Sequence, residues 1–437
     1  MMRSLWSGVS GLNTHLTEMD VIGNNISNVN TTSYKSQSTG FQDVLYQTIK
    51  SGMAAGTNTA TTNTDQVGLG AKIGSISTNI TLQGSAVITD NAMDLMITGD
   101  SFFCIAKDTS SETINFTRDG SFTIDAEGNL VTQNNGYYVM GVMGDAEVGD
   151  TVEAPLELIN ERTKKIAGTA TSEAYFSGNI DSYDDQLEDG KTLGIEVFGS
   201  DGNTYTIKFN LTDDEDDADN TFRLELTSVQ DSKGKVIAGE DDLATHVHLV
   251  YDKHSGVLTS ANGDTKGNVK VSFTGDAAVL GQLNIDFTRT TNYASTMAGH
   301  NSTIYGYKGN VDGLNKGYAN GEMTGLSFTD NGSIYAKYSN GQTVRIAHIA
   351  VAEFNNASGL EKVGDNLFAA SLNSGEPMFL DVTENGGYIS SGVLEGSNVN
   401  LAKEFTDMIT TQRGFQANSK VITTSDELLQ LLHGLKR

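Results

Sequence analysis

Two rows of apolar residues, one at each end of the chain, constrain its fold more than any other feature. Leu5, Val9, Leu12, Leu16, Met19 and Ile26 fall at steps of four and three, interrupted only at Gly23, and so share one face of a helix. Near the other end Leu394, Leu401, Met408, Phe415, Ile422 and Leu429 recur every seven residues, with Phe405 at an intermediate position and Val421, Leu428 and Leu435 in a row beside them. A strict seven-residue period over this length predicts a left-handed helical coil rather than a surface helix, whose apolar face drifts with a period near 3.6. The two rows are expected to meet each other as a narrow seam. The alternative is a terminal helix docked on the chain's own globular core.

Surface chemistry separates these readings. From Ser4 to Asn30 the only formal charges are Glu18 and Asp20, and the other polar positions are Ser, Thr, Asn, Gly and His15. A helix facing water carries interspersed Lys and Glu, so this neutral small-residue surface is suited to touching protein on several sides. One chain cannot supply that much protein. The pattern predicts a subunit whose paired termini are completed by neighbouring copies. The helical pattern stops within 22–35, where Asn24, Asn25, Asn28 and Asn30, followed by Tyr34 and Lys35, open a connector.

A chain of 437 residues has length for about two to four domains. Its formal charge of -27 and pI near 4.5 argue against nucleic acid or an anionic membrane as partner, because both would repel it. Forty-eight glycines against two prolines, Pro155 and Pro377, suit many hairpin turns rather than a proline-rich stalk. The single cysteine, Cys104, excludes an internal disulfide, and its strand-like surroundings read as those of a buried, inert thiol. No transmembrane run is present, and the first residues lead into an amphipathic pattern rather than a signal peptide.

Between the ends the signal changes to period two. Residues 36–70 are rich in Ser, Thr, Asn, Gln and Gly around an apolar patch of Phe41, Val44, Leu45, Tyr46 and Ile49, and 54–64 read as too polar to order alone. Strand patterns follow at 72–80, 93–97, 102–106 and 137–142, and the stretch 116–122 is echoed at 328–334, which fits one β-domain built from two distant segments. Clean alternation at Leu193, Ile195, Val197, then Tyr205, Ile207, Phe209, Leu211, then Phe222, Leu224, Leu226 marks an inserted β-domain. The fold class is thus mixed, mainly β with α-helical termini. The expected division is a helical domain from 1–30 and 394–437, a connector 31–70, a middle β-domain from 71–146 and 293–393, and an inserted β-domain 147–292.

Chemistry is scarce. The acidic run 213–219 lacks the spaced ligands and central glycine of a calcium loop and reads as a solvated segment. His246 and His248 share a strand face with Asp252 and His254 nearby, but without further ligands they read as a polar outer face. Phosphate loops, nucleophile elbows and zinc-protease helices are absent, and among 55 acids any carboxylate pair is uninformative. No catalytic residue, cofactor or metal is expected.

Asn24-Asn25-Ile26, Asn28, Asn30-Thr31 and Tyr34-Lys35 resemble the amino-terminal signature of the bacterial flagellar axial proteins, with Ser33 where glycine is usual. Residues 394–399, then Glu404-Phe405, Met408-Ile409, Gln412-Arg413 and 415–418, are similar to that family's terminal helix motif, with Asn400 where Asp is common. Over its whole length the chain resembles the hook branch, since rod members are much shorter. The resemblance implies a self-polymerising curved tube that acts as a universal joint from rod to filament. It also implies export, unfolded and without a cleaved signal, to the flagellum outside the cell. Partners implied are the chain itself, the flagellar rod, hook cap, hook-length control protein, hook-filament junction proteins and the flagellar type III export apparatus, with no nucleic acid and no membrane insertion. Assembly contacts then fall on Leu5, Val9, Leu12, Leu16, Met19, Ile26, Asn24, Asn25, Asn28, Asn30 and Tyr34, and on Leu401, Phe405, Met408, Gln412, Arg413, Phe415, Ile422 and Leu429. A distal rod protein, and a surface β-rich hydrolase or adhesin, are the alternatives.

Overall fold

The computed structural model describes residues 2–52, 61, 63–109, 113–146, 149, 154–214, 220–239, 246–294 and 299–434. Most of the 54–64 run, residues 215–219 of the acidic run, and Leu435 lie outside the described residues. The chain divides into a first unit of Met1–Asn160, Leu326–Tyr335 and Arg345–Arg437, and a second of Glu161–Gly325 and Ala336–Val344. The boundary expected at 292 falls inside the second unit. Tyr305–Lys308 pairs antiparallel with Glu173–Ile180, which keeps the chain in that unit well past 292.

In the first unit the ends are helices, Met2–Ser27 and Leu401–Gly434. The segment expected to be a plain connector instead carries strands at Gln37–Asp43, Tyr46–Lys50 and Asp65–Gly68 among its described residues. Gln37–Asp43 pairs with Ala71–Thr78, and Tyr46–Lys50 with Asp65–Gly68, so the chain runs out and back as a two-stranded ribbon. Phe41, Tyr46, Ile49, Val67, Ile73 and Ile76 supply strand propensity that the Thr- and Asn-rich composition masks. The ribbon lies along the first helix. The Thr14 hydroxyl donates to the Ala71 carbonyl at 3.2 Å, the Ala71 amide to Ser10 Oγ at 3.3 Å, and His15 meets the Phe41 ring edge-on at 5.9 Å.

The β-body of this unit is organised on Phe102–Ala106, every residue of which is buried. A continuous apolar run buried on both faces needs cover from both sides. Phe102, Cys104 and Ala106 join Ile80, Phe116, Met140, Ala352 and Phe368 in one cluster, while Phe103 packs edge-on against Phe122 at 5.0 Å. The two distant segments pair strand by strand: Phe103 opposite Val351, Gly141 opposite Ile349, Thr117 opposite Leu367, Thr98 opposite Tyr388 and Ile88 opposite Val393.

The second unit has a core of its own. Lys191–Phe198, Thr204–Asp213, Thr221–Asp231, His246–Tyr251 and Leu258–Ala261 follow one another antiparallel in one sheet. Asn268–Ser272, Gln282–Asn292, Glu173–Ile180 and Tyr305–Lys308 form another, in which the central pair is parallel. The alternating residues point inward as period two requires, and Ile195, Ile207, Phe209, Leu224 and Leu226 meet Phe176, Ile285 and Phe287 in a single cluster. Burial of each large side chain contributes roughly 1.5–3 kcal/mol. His248 Nδ1 lies 2.8 Å from Asp214 Oδ2 with His246 edge-on beside it, and Asp252 caps its own turn through the Ser255 and His254 amides. Among the described residues no group of three or more His, Cys, Asp or Glu could hold a metal, and no helix is long and apolar enough to cross a membrane.

One histidine gives the first unit a pH dependence. His348 is 3% exposed, shares a hydrogen bond with Ser333 Oγ at 3.0 Å through Nδ1, and turns Nε2 towards Asp381 at 3.4 Å. Burial holds its pKa below the usual 6.5, against an opposing pull from Asp381 and with help from Arg345. The unfolded chain therefore takes up a proton first, so this contribution is complete above pH 6.5 and is lost as the pH falls below it. Urea midpoints of the first unit should drop on acidification from pH 6.5, and His348→Asn should flatten that slope.

Candidate assembly surface on the paired terminal helices

The first helix ends in its own asparagines, with Asn28 Nδ2 donating to the Asn24 carbonyl at 2.9 Å. The chain then turns at Ser33, whose φ of 55° is left-handed. That conformation costs an ordinary residue about 1–2 kcal/mol, which accounts for glycine being usual there. Ser33 is held in place by its amide on the Glu395 carbonyl and its hydroxyl on the Arg118 carbonyl, both at 2.8 Å. The last helix starts behind Asn400, whose Oδ1 accepts from the Lys403 amide at 3.2 Å. Asp and Asn cap a helix equally well, so the departure from the family's Asp changes little.

The helices run antiparallel in constant register. Ser4 Oγ lies 3.3 Å from Ser425 Oγ and Asn25 Nδ2 donates to Glu404 Oε2 at 3.2 Å. Between these points a Cβ added at Gly8 would stand 3.1 Å from Ile422, one at Gly11 2.7 Å from Asn418, and one at Gly414 2.7 Å from His15. The facing rows are therefore Ser4, Gly8, Gly11, His15, Ile22 and Asn25 against Glu404, Thr411, Gly414, Asn418, Ile422 and Ser425.

This corrects the expected seam. Each apolar residue of the stripe Leu5, Val9, Leu12, Leu16 and Met19 lies one position on from the row that meets the partner helix, about 100° round the axis. Val9 is 42% and Leu16 47% exposed, while Leu5, Leu12, Met19 and Ile26 are half-buried. On the last helix Met408, Phe415, Ile422 and Leu429 are half-buried towards the pair, but Leu401 and Phe405 are exposed, the latter by 50%, as are Val421 and Leu428 of the parallel row. Gln412 and Arg413 face solvent, Arg413 donating to Gln416 Oε1 at 3.2 Å, and Asn30 is exposed. Period identified the rows; it could not tell which face each helix turns to the other.

At the neck, where both helices meet the β-body, the signature residues do come together. Asn25 Oδ1 accepts from the Gln37 amide at 2.9 Å and from Tyr34 Oη at 3.2 Å, and Tyr34 Oη accepts from Asn24 Nδ2 at 3.2 Å. Burial, and then Glu404, push the Tyr34 phenol up. Asn398 ties the entering chains together, its Oδ1 taking the Ser36 amide at 2.7 Å and its Nδ2 donating to the Asn79 and Leu82 carbonyls at 2.9 Å.

Behind them lies an ionic cluster that local pattern did not reveal. Lys35 Nζ donates to Glu395 Oε1 at 2.7 Å and to the Leu82 carbonyl at 2.8 Å, the Gly84 amide donates to the same Oε1 at 2.8 Å, and Arg118 Nη1 stands 3.9 Å from Glu395 Oε2. Lys35, Glu395 and Arg118 are each 1% exposed. Burial lowers the pKa of Lys35 and of Arg118, with Glu395 opposing in both cases. Arg118 also stacks over Phe102 at 5.0 Å and donates to the Gly99 carbonyl at 2.6 Å, joining the neck to the core strand. No nucleophile is paired with a base here, and burial pushes the Cys104 thiol well above its usual range, so the arrangement holds backbone together rather than reacting.

Long antiparallel terminal helices, a ribbon laid on one of them, and β-units between the chain ends define a structural subunit built for assembly. The comparisons name the class. The family model described as Flagella basal body rod protein matches residues 5–35, that of the Flagellar hook protein FlgE/F/G D1 domain 96–166, and that of the Flagellar basal body rod FlgEFG protein C-terminal 390–435. The chain is 36% identical to the flagellar hook protein of Borreliella burgdorferi and 33% to that of Treponema pallidum, each over 100% of both chains. It belongs to the flagellar hook protein family, a structural family of the bacterial flagellum and not an enzyme family. It is also 29% identical to the flagellar basal-body rod protein FlgG of Bacillus subtilis over 100% of both chains. That relative is of full length, so length does not separate rod from hook as expected.

Removing Glu395 leaves two buried cations without their counter-charge, and breaking such a pair costs about 3–5 kcal/mol. Glu395→Ala should lower the urea midpoint of the first unit sharply and leave the transition of the second unit, which has its own core, in place. Unchanged unfolding of the first unit would show the cluster to be dispensable.

Proposed function

We propose that copies of this chain polymerise through their terminal helices into the curved tube of the hook and pass torque from rod to filament while the tube bends. The observation that carries the reading is the placement of apolar residues. Within one chain the closest approach of the helices is made at glycine, serine and asparagine positions, while Val9, Leu16, Leu401, Phe405, Ile409, Val421 and Leu428 are left exposed on the outside, where only further protein can cover them. In this reading the helices line the tube, the β-body of the first unit slides against its neighbours, and contacts of the second unit with other copies set curvature. Leu5, Val9, Leu12, Leu16, Leu401 and Phe405 contact other copies directly. Met408, Phe415, Ile422 and Leu429 support them from within the pair, and Asn24, Asn25, Asn28 and Tyr34 hold the neck.

The further partners are those of a hook: the rod, the cap, the length-control protein, the junction proteins, and the type III apparatus that exports the unfolded chain without a cleaved signal. A distal rod protein is the second reading, favoured by the full-length match to a protein named for the rod. Tubes formed by purified protein and imaged by electron microscopy decide: curved, compliant tubes support the hook, straight stiff ones the rod, and no polymer at any concentration overturns both.

Val9→Asp and Phe405→Asp place a charge on surfaces already exposed in the single chain, so thermal unfolding should stay at the wild-type value. Burying an unpaired charge costs several kcal/mol, so the critical concentration for polymerisation should rise by about two powers of ten or more, at 1.4 kcal/mol per factor of ten. Lys403→Ala, an exposed change, should have little effect.

A further inference from the structure

Two histidines of the second unit stand together outside its core. The strand His246–Tyr251 alternates between two faces, so Val247 and Leu249 enter the core while His246 and His248 share the outer side of the sheet. Their ring centroids lie 5.4 Å apart. Two imidazoles bound to one tetrahedral ion at about 2.0–2.1 Å hold their centroids roughly 5 Å apart, so the pair is already spaced for a shared ligand.

The fold adds a carboxylate behind this pair. Asp214 follows the strand Thr204–Asp213, and its side chain reaches past Thr221–Asp231 to bring Oδ2 within 2.8 Å of His248 Nδ1. With its proton on Nδ1 the neutral ring turns a lone pair outward on Nε2, an atom bonded by no group among the described residues. A carboxylate on the far nitrogen is how metal-bound histidines are usually oriented. His246 is exposed and makes no hydrogen bond among the described residues, so its ring is free to turn towards the same point. Opposite the two rings in register stand Arg223 and Glu225. Arg223 Nη2 lies 3.2 Å from Glu225 Oε1, so those charges offset each other and Asp214 leaves the site a net attraction for a cation.

We infer that His246 and His248 chelate a transition-metal dication, copper(II) or more weakly zinc(II), with Asp214 as the positioning residue. Imidazole suits both metals, and copper(II) binds such nitrogen sites more tightly. Two protein ligands are fewer than the three or four of a catalytic or structural zinc site, so water completes the coordination and the ion exchanges. The inference is independent of the polymer reading, because the sheet that carries the pair has its own core.

The full chain, freed of any affinity tag and of metal, is titrated with copper(II) chloride and followed by electron paramagnetic resonance. The first equivalent should show two imidazole nitrogens. Asp214→Ala should keep both and weaken binding about 10–100-fold, the usual effect of removing the carboxylate behind a ligating ring. His246→Asn and His248→Asn should each leave one nitrogen and weaken binding at least as much. His300→Asn is the control and should change neither: His300 has a carboxylate behind it, Asp181 Oδ2 at 3.0 Å from Nδ1, but Tyr183 rather than a second imidazole beside it. Zinc should raise the urea midpoint of the second unit in the wild type and not in His246→Asn, since a ion bound only by the folded state stabilises it. His246→Asn removes no hydrogen bond and so carries the test even where His248→Asn fails to fold. A single nitrogen in the wild type, or binding that His246→Asn leaves unchanged, overturns the inference; Asp214→Ala without effect removes the positioning role.

Discussion

Close approach of the two terminal helices, permitted by Gly8, Gly11 and Gly414, governs what the rest of the first unit must do. A seam in which small and polar side chains outnumber Ile22 and Ile422 buries less apolar surface, so the pair gains less from its own contact than a leucine-lined coil would. Several of its large side chains, Val9, Leu16, Phe405 and Ile409 among them, stand on the flanks instead. One flank is partly covered by the ribbon at Ser10, Thr14 and His15, and the others retain Val9, Leu16, Phe405 and Ile409 in the open. Isolated helices are marginal in water and rely on packing for most of their stability. Here much of that packing surface, Val9, Leu16, Phe405 and Ile409 included, faces away from the chain.

The neck resolves the opposite problem. Two chain segments leave the helices and must enter the β-body at a fixed place, and backbone without regular pairing needs partners wherever it is buried. Asn25, Asn398 and the Lys35–Glu395–Arg118 cluster supply them, each through several hydrogen bonds to main chain. A buried ion pair adds little net stability against an apolar replacement, but it is intolerant of losing one member and specific in geometry. Those properties suit a junction that must keep one register between helices and β-body. Ser33, held at positive φ by the Glu395 and Arg118 carbonyls, belongs to the same device.

The sequence made the helices, the alternating strands and the family legible, because each is written in local period or in a contiguous motif. It misled where apolar was equated with buried. The stripe from Leu5 to Met19 is the stronger apolar signal, yet the row that meets the partner is the weaker one beside it, Ser4, Gly8, Gly11 and His15, itself spaced by four and three. In this chain the apolar periodicity marks a flank beside the helix contact, not the contact itself. The ionic cluster was invisible for another reason: Lys35 and Glu395 lie 360 residues apart and carry no pattern until the fold joins them. The ribbon was hidden by Thr- and Asn-rich composition, and the true extent of the second unit by a single edge strand, Tyr305–Lys308, whose pairing no local signal announces.

The distribution of charge completes the physical account. A net charge of -27 keeps free chains apart, yet the same repulsion would oppose stacking if it were spread over the contact surface. From Ser4 to Asn30 the first helix carries only Glu18 and Asp20, and Glu18 already faces His15 at 3.1 Å. Copies meeting through their terminal helices, as proposed, would therefore bring few like charges of the first helix together. Most of the acidic residues belong to the segments between the helices, and exposed charges separated by more than the screening length of about 8 Å at physiological salt interact only weakly. Long-range repulsion and short-range apolar contact are thus carried by different parts of the chain, and a strongly acidic protein can remain dispersed in dilute solution and still close its apolar rows against the next copy.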